Sequence, residues 1–369
     1  MRRVLVTGAD GFIGRNVSAV LAPREDVQVI PVTRASSGHD LAAGIAVADV
    51  VVHLAGTNRP RDEREFAEGN GDFTRRVCEA IRAAGRPLPL ILASSTQAEL
   101  DNPYGRSKRM AEDHVFRLNA EAGSRVAVYR LPGVFGKWAR PNYNSVVATF
   151  CHNTAHGLPL DIHDPHVRLR LVYIDDVVQD VLRRIEGDWP ADGWASVAPV
   201  YETTVGEIAE LVRSFRATRD TLMIERVGAG MIRALYSTYI SYLPPEQFSY
   251  KVPKYGDPRG VFAEVLKTPD CGQFSFFTAH PGVTRGCHYH HTKTEKFVVL
   301  RGTARFRFRH ILDGRTFELT VGGETLEVVE TVPGWAHDIT NVGDSDMVVM
   351  LWANEVFDRQ RPDTFASQL

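Results

Sequence analysis

Short apolar runs set between longer amphipathic stretches open the chain. "RVLVTG", "VQVIPV", "DVVVHLAG", "LPLILASS" and "VAVYR" each have the length of one buried strand, and segments between them, such as Asp62 to Ala83, carry helical periodicity. This alternation predicts parallel βαβ units up to about Arg130. From Leu131 to about Leu243 the pattern is mixed, with Pro- and Gly-bearing loops and a helical piece from Gly206 to Phe215, and it reads as a small cap on the first domain. The segment "YLPPEQFSYKVPKYGDPRG" then breaks the pattern. After it "VFAEVLK", "GQFSFFTA", "EKFVVLRG", "ARFRFRH", "RTFELTV", "TLEVVE" and "DMVVMLWA" predict an antiparallel barrel or jelly roll. The expected organisation is an α/β parallel-sheet domain over 1–243 followed by an all-β domain over 244–369.

Composition narrows the classes. A chain of 369 residues is long enough for two cores, and 44% hydrophobic with 24% charged residues is an ordinary globular balance. The net charge of −2, with both signs interspersed, gives no nucleic-acid surface. Four cysteines without paired spacing, and no apolar leader ahead of the first strand, point to the reducing cytoplasm. No apolar run approaches the ~20 residues of a membrane span, so no membrane partner is expected.

The first candidate chemistry lies where the first strand ends. Gly8, Asp10, Gly11, Phe12, Ile13 and Gly14 fall in "TGADGFIG", spaced GxxGxxG between a strand and a helix, where glycines let the backbone approach a pyrophosphate. About 20 residues on, Arg34 takes the place where an NAD-binding unit carries an acid, which favours the 2′-phosphate of NADP. Leu54, Ala55 and Gly56, at another strand end, line the same groove. Tyr104 and Lys108 stand one helical turn apart, so the ammonium can lower the phenol pKa and steady a cofactor ribose. The same Tyr-x-x-x-Lys spacing at Tyr250/Lys254 and Tyr289/Lys293 falls in proline-bearing or strand-rich surroundings. Together with a strand-end serine, Ser95 or as second choice Ser94, these residues resemble an extended short-chain dehydrogenase/reductase with a Rossmann-type sheet. The resemblance implies that Tyr104 exchanges the proton on the reacting oxygen, Lys108 tunes it and Ser95 orients the carbonyl. The interval from Ser95 to Tyr104 is shorter than the family's, and the Val-Tyr-Gly that usually follows the serine is missing.

The second lies in "GCHYHHTKTEKFVVLRG". His288-x-His290, then Glu295 and Gly302, match the first cupin motif, and His337 in "PGWAHDITN" stands where the second motif supplies a fourth ligand. His288 and His290 share a strand face by the two-residue alternation. Three imidazoles and one carboxylate suit a divalent metal, with Zn²⁺ the leading choice and Mn²⁺, Fe²⁺ or Ni²⁺ compatible. His291 is expected to turn to the solvent side.

One chemical requirement joins the two sites. A reductase consumes a ketone, while a metal-bearing barrel can use the same ketone to acidify the neighbouring C–H, so inversion has to precede reduction. The chain as a whole, through "HLAGTNRP", "DNPYG", "FGKWARPNYNSVVATF" and "STYISYLP", resembles the bifunctional capsule and O-antigen enzymes of the CapF/WbjC type. That resemblance implies a UDP-4-keto-2-acetamido-2,6-dideoxyhexose substrate, C3 epimerisation by the cupin and NADPH-dependent C4 reduction by the Rossmann domain. The product would be UDP-2-acetamido-2,6-dideoxy-L-talose, a precursor of UDP-N-acetyl-L-fucosamine. The alternative is a keto-sugar reductase with one activity, whose cupin serves dimerisation or sensing. A homo-oligomer, dimer or tetramer, is expected because open barrels pair through their edge strands.

Overall fold

The computed structural model describes residues 1–253, 255–257, 260–262, 266, 272–355 and 360–369. Most of the expected strand over 261–267 lies outside these residues, as do Lys254 and Cys271. Packing divides the chain into two units: Met1–Ser145 with Leu169–Glu202, and Val146–Arg168 with Thr203–Leu369. Among the described residues no helix is long and apolar enough to cross a membrane.

The first unit is built on a six-stranded sheet. Its strands are β1 (Arg2–Thr7), β2 (Val27–Val32), β3 (Val50–His53), β4 (Leu90–Ser95), β5 (Val126–Leu131) and β6 (Trp194–Ala195), in the order β2-β1-β3-β4-β5-β6 and all parallel. Val4 to Val6 and Val50 to Val52 are buried without alternation, as expected of strands covered on both faces. The covering helices include α1 (Phe12–Leu21), α2 (Gly38–Val47), α3 (Phe73–Ala83), α4 (Pro103–Ala122) and α5 (Ile174–Glu186). Between β1 and β3 the strand order reverses, so the loops leaving their carboxyl ends diverge and open a crevice.

The second unit holds an antiparallel double sheet. Its strands are β7 (Ser249–Lys251), β8 (Gln273–Ala279), β9 (Thr284–Tyr289), β10 (Glu295–Arg301), β11 (Thr303–His310), β12 (Thr316–Gly322), β13 (Glu327–Glu330), β14 (Trp335–Asn341), β15 (Met347–Ala353) and β16 (Phe365–Ala366). One sheet runs β7-β13-β10-β15-β8 and the other β12-β11-β14-β9-β16, the jelly-roll arrangement. β11 shows the period-two logic: Ala304, Phe306, Phe308 and His310 are buried, while the residues between them are half-exposed.

The expected division at 243/244 differs from this packing. Helices Val146–Ala155, Val205–Thr221 and Gly230–Ile240, read from sequence as a cap on the first domain, belong to the unit that contains the barrel. The reason is burial and charge. Leu222 joins an apolar cluster with Val252, Val298 and Val328. Arg219 pairs with Glu330 at 2.6 Å, and Lys296 bonds the other oxygen of that carboxylate, with Glu330 and Lys296 both buried. None of these contacts connects residues close in sequence, so no local pattern announces them.

Candidate active site and metal centre

The turn after β1 is shaped by three glycines. Gly8 has φ +66°, and a Cβ there would lie 2.8 Å from the Ala55 backbone, so the loops leaving β1 and β3 meet backbone to backbone at the switch point. A Cβ on Gly14 would stand 2.1 Å from the Gly8 carbonyl, which lets α1 begin hard against the turn. Gly11 is the N-cap of α1 and supplies no side-chain cap. The uncapped amides of that first turn suit a phosphate, and the glycine cradle fits a dinucleotide. Around it Asp10 and Gly11 are exposed, and Phe12 and Ile13 half-buried. Leu54 and Ala55 are half-buried, Gly56 exposed, and Arg34 is exposed two residues beyond the end of β2.

Helix α4 brings Tyr104 and Lys108 to the same groove. Asn102 caps it by accepting a bond from the Gly105 amide at 2.8 Å, and Pro103 opens it, which places Tyr104 in the first turn. Lys108 is buried, donates to the Ala93 carbonyl at 3.0 Å and lies 5.9 Å from the Tyr104 ring centre. A Cβ on Gly56 would stand 3.3 Å from its Nζ, so the ammonium borders the cofactor loop. Burial pulls the Lys108 pKa down to about 8, with the Glu112 carboxylate opposing. Burial raises the Tyr104 phenol, and a hydrogen bond with Ser95 works against that rise. Ser94 faces elsewhere: it donates to Glu112, which Arg130 also holds through Nη2 at 2.6 Å. Of the two serines, the structure thus brings Ser95 to Tyr104.

Sequence reasoning missed Asn70. It lies in the π-helical stretch Ala67–Asp72, accepts from the Thr57 amide at 2.9 Å and donates both to the Thr57 carbonyl and to Ser107 on α4, each at 2.9 Å. This one buried amide ties the loop after Gly56 to the helix of Tyr104 and Lys108. An asparagine between two glycines in a polar stretch gives no local sign of that role.

The second cluster forms in the barrel. His288 on β9 pairs across the sheet with His337 on β14, and a bulge between Gly286 and His288 re-aims the strand, with Cys287 at φ +59°. His290 follows β9 and Glu295 opens β10. Ligand atoms of these four residues all lie within 4.8 Å of one another. Around a tetrahedral ion, ligands at ~2.1 Å stand ~3.4 Å apart, so a small inward movement closes the set. His290 Nε2 is 3.2 Å and His337 Nε2 3.6 Å from Glu295 Oε2, while Lys293 holds Oε1 at 2.7 Å. His337 Nε2 is buried without a hydrogen-bond partner. An orphaned imidazole nitrogen beside a buried carboxylate is what a divalent metal would satisfy, and the donor set fits one.

The charge states suit coordination too. Burial, with His337 and His290 adding, lowers His288 to about 3 and keeps it neutral. Burial alone would raise Glu295, but the His290 and His337 imidazoles beside it, with the Lys293 ammonium, outweigh that and hold it well below the usual carboxylate range. Neutral imidazoles with an ionised carboxylate are the ligating forms. His291 departs from expectation. It is buried rather than solvent-facing, with its ring 5.4 Å from Tyr289 and 4.9 Å from Phe365, because pairing of the terminal strand β16 with β9 brings the Phe365 ring beside Tyr289 and against the imidazole.

Known proteins match both regions of the chain. Residues 4–188 match the NAD dependent epimerase/dehydratase family, and residues 255–365 match the polysaccharide biosynthesis C-terminal domain. A UDP-2-acetamido-2,6-beta-L-arabino-hexul-4-ose reductase of Pseudomonas aeruginosa is 56% identical over 99% of this chain and 98% of its own. The crystal structure of the capsular polysaccharide assembling protein CapF from Staphylococcus aureus covers 99% of this chain and 100% of its own, at 41% identity and a TM-score of 0.69. At 18% identity and a TM-score of 0.52, the UDP-glucuronic acid 4-epimerase of Bacillus cereus, covering 57% of this chain and 83% of its own, shares the fold. An end-to-end match at this identity, across a Rossmann-type unit and an antiparallel double sheet alike, means that the chain belongs to the NAD dependent epimerase/dehydratase family as a nucleotide-sugar oxidoreductase of the CapF type.

Proposed function

We propose that this protein inverts C3 of a UDP-4-keto-2-acetamido-2,6-dideoxyhexose in its barrel and reduces the C4 ketone in its Rossmann-type unit. The product is UDP-2-acetamido-2,6-dideoxy-L-talose. The observation that carries the reductase half is the meeting of Ser95, Tyr104 and Lys108 beside the Gly56 loop, in a chain that aligns end to end with a reductase of a 4-ulose. A reduced nicotinamide, NADPH by the exposed Arg34 and the lack of an acid there, supplies the hydride. Tyr104 gives its phenolic proton to the C4 oxygen, Ser95 holds that oxygen by a hydrogen bond, and the Lys108 ammonium stabilises the phenolate left behind. Gly8, Asp10, Gly11, Phe12, Ile13, Gly14, Leu54, Ala55 and Gly56 bind the dinucleotide.

The epimerase half rests on the His288, His290, Glu295 and His337 cluster. A divalent metal held there, Zn²⁺ by the donor set, supplies a Lewis acid for a carbonyl. Proton loss at C3 needs that carbonyl, because a hydrogen beside an alcohol is not appreciably acidic. Inversion therefore comes first and reduction fixes it.

Solvent exchange tests this reading on the full chain, since helices before residue 243 pack with the barrel. A Tyr104→Phe variant in D₂O, without NADPH, is expected to place deuterium at C3 of the 4-keto sugar, and His337→Ala should abolish that exchange. No deuterium at C3 with the metal-loaded wild type would leave a reductase with one activity.

A further inference from the structure

The turn between His290 and Glu295 and the C-terminal segment are joined by one half-buried residue far away in sequence. Asp363 accepts the His291 amide on Oδ1 at 2.9 Å, and on Oδ2 the Thr292 amide at 2.7 Å, the Lys293 amide at 2.6 Å and the Thr292 hydroxyl at 2.8 Å. Its main-chain carbonyl also accepts a hydrogen bond from His290 Nδ1. Three successive amides converging on one carboxylate form a nest around a residue of the chain itself. Strand pairing places Asp363 there. Phe365 and Ala366 pair with Tyr289 and His288, and the Ser367 amide donates to the Cys287 carbonyl at 2.8 Å. Arg309 holds Ser367 Oγ at 3.0 Å and the Gln368 carbonyl at 2.8 Å.

The turn fixed in this way is the one that spans two ligands. His290 precedes it and Glu295 follows it by two residues, so its conformation sets whether His290 Nε2 and Glu295 Oε2 reach the same point. The bond from His290 Nδ1 to the Asp363 carbonyl leaves Nε2 as the nitrogen with a free lone pair, the form a metal takes. The far side of the turn is held as well: Ser237 donates to the Thr292 carbonyl at 2.7 Å, and Asn354 accepts the Thr294 amide at 3.0 Å.

We propose that Asp363 is a positioning residue of the metal centre, clamping the 291–293 turn and fixing the His290 tautomer so that the site is preorganised before an ion arrives. The proposal rests on the metal reading above and adds to it a dependence of metal affinity on the C-terminal segment. A group that only capped a turn would stabilise the fold without changing how tightly the centre holds zinc.

The test uses the full-length, metal-free protein titrated with Zn²⁺ against a chromophoric chelator. Amide hydrogen exchange at His291, Thr292 and Lys293 is followed on the same samples. Replacing Asp363 by Ala is expected to weaken zinc binding by roughly 10- to 100-fold and to speed exchange of those amides in the metal-free state. Ser367→Ala, which loosens the terminal strand without touching the carboxylate, should stay within about threefold of wild type. Asp363→Asn serves where the alanine variant does not fold. Zinc held within threefold by the Asp363 variant, or unaltered exchange at 291–293, overturns the proposal while leaving the metal centre standing. A wild type that takes up no zinc overturns both.

Discussion

At the scale of single residues, Lys108 shows a functional group that works against its own fold. Its folded pKa of about 8 lies below the usual 10.5 because burial disfavours the ammonium. Between those two values the native state binds fewer protons than the unfolded chain, so stability rises with pH across that window. At neutral pH the buried amine stays charged at a cost of roughly 3 kcal/mol. Lys108→Met is therefore expected to abolish reduction yet raise the unfolding free energy at pH 7 by about 1–2 kcal/mol. The lost bond to the Ala93 carbonyl accounts for the smaller figure. Chemical denaturation at pH 7 and pH 10 measures this, and a gain that does not shrink at the higher pH would contradict the assigned cause. If the Lys108 ammonium stabilises the phenolate as proposed, kcat/KM for reduction should fall as pH passes about 8. Arg34→Ala, at an exposed position, should cost NADPH its preference over NADH while leaving kcat with saturating cofactor near wild type.

At the scale of elements, the sites were legible where their residues lie within one turn or one strand of each other. The glycine turn, Tyr104 with Lys108, and His288 with His290 and Glu295 are local spacings, and the fold brings each set together. His337 was found only because it sits in a second local motif. What stayed hidden was carried by contacts between distant segments. Asn70, Asp363 and the pairing of Arg219 with Glu330 each connect segments far apart in sequence, and periodicity says nothing about such partners. The last of these also explains why the cap helices fall in the barrel's unit. Glu330 sits between Lys296 and Arg219, the first two buried and the arginine half-buried, and although burial opposes it, their positive charges hold its pKa below the usual value. Glu330→Gln would leave the buried Lys296 ammonium and the half-buried Arg219 guanidinium against a neutral amide, and should destabilise the second unit by about 3–5 kcal/mol. A depressed carboxyl pKa gives stability that is present above the unfolded value of 4.5 and lost as pH falls through the folded one. The wild type should therefore melt earlier as the pH is lowered past 4.5, and Glu330→Gln should flatten that dependence. Differential scanning calorimetry across pH 3 to 7 reads both.

Across the whole molecule, the two proposed chemistries call on different units. The glycine cradle, Tyr104 and Lys108 belong to one packed unit, and the four ligand residues belong to the other. If the barrel serves inversion alone, removing its metal leaves the reductase with everything it requires. A chelator-treated protein, supplied with a 4-keto sugar whose C3 is already inverted and with NADPH, should therefore reduce it within about twofold of the untreated rate. The same preparation, given the uninverted 4-keto sugar, should form no L-talo product and should exchange no C3 hydrogen with D₂O, and added Zn²⁺ should restore both. These outcomes separate a catalytic metal from a structural one, because a metal needed only for the fold would lower the two reactions together. Equal loss of both, with a matching fall in melting temperature, would assign the ion to stability and leave the inversion without a site. The order of steps carries its own signature, independent of the metal. A 4-hydroxy sugar has no carbonyl beside C3, so the intact protein should leave its C3 hydrogen unexchanged however long it is incubated, whereas the 4-keto sugar should exchange before any NADPH is consumed.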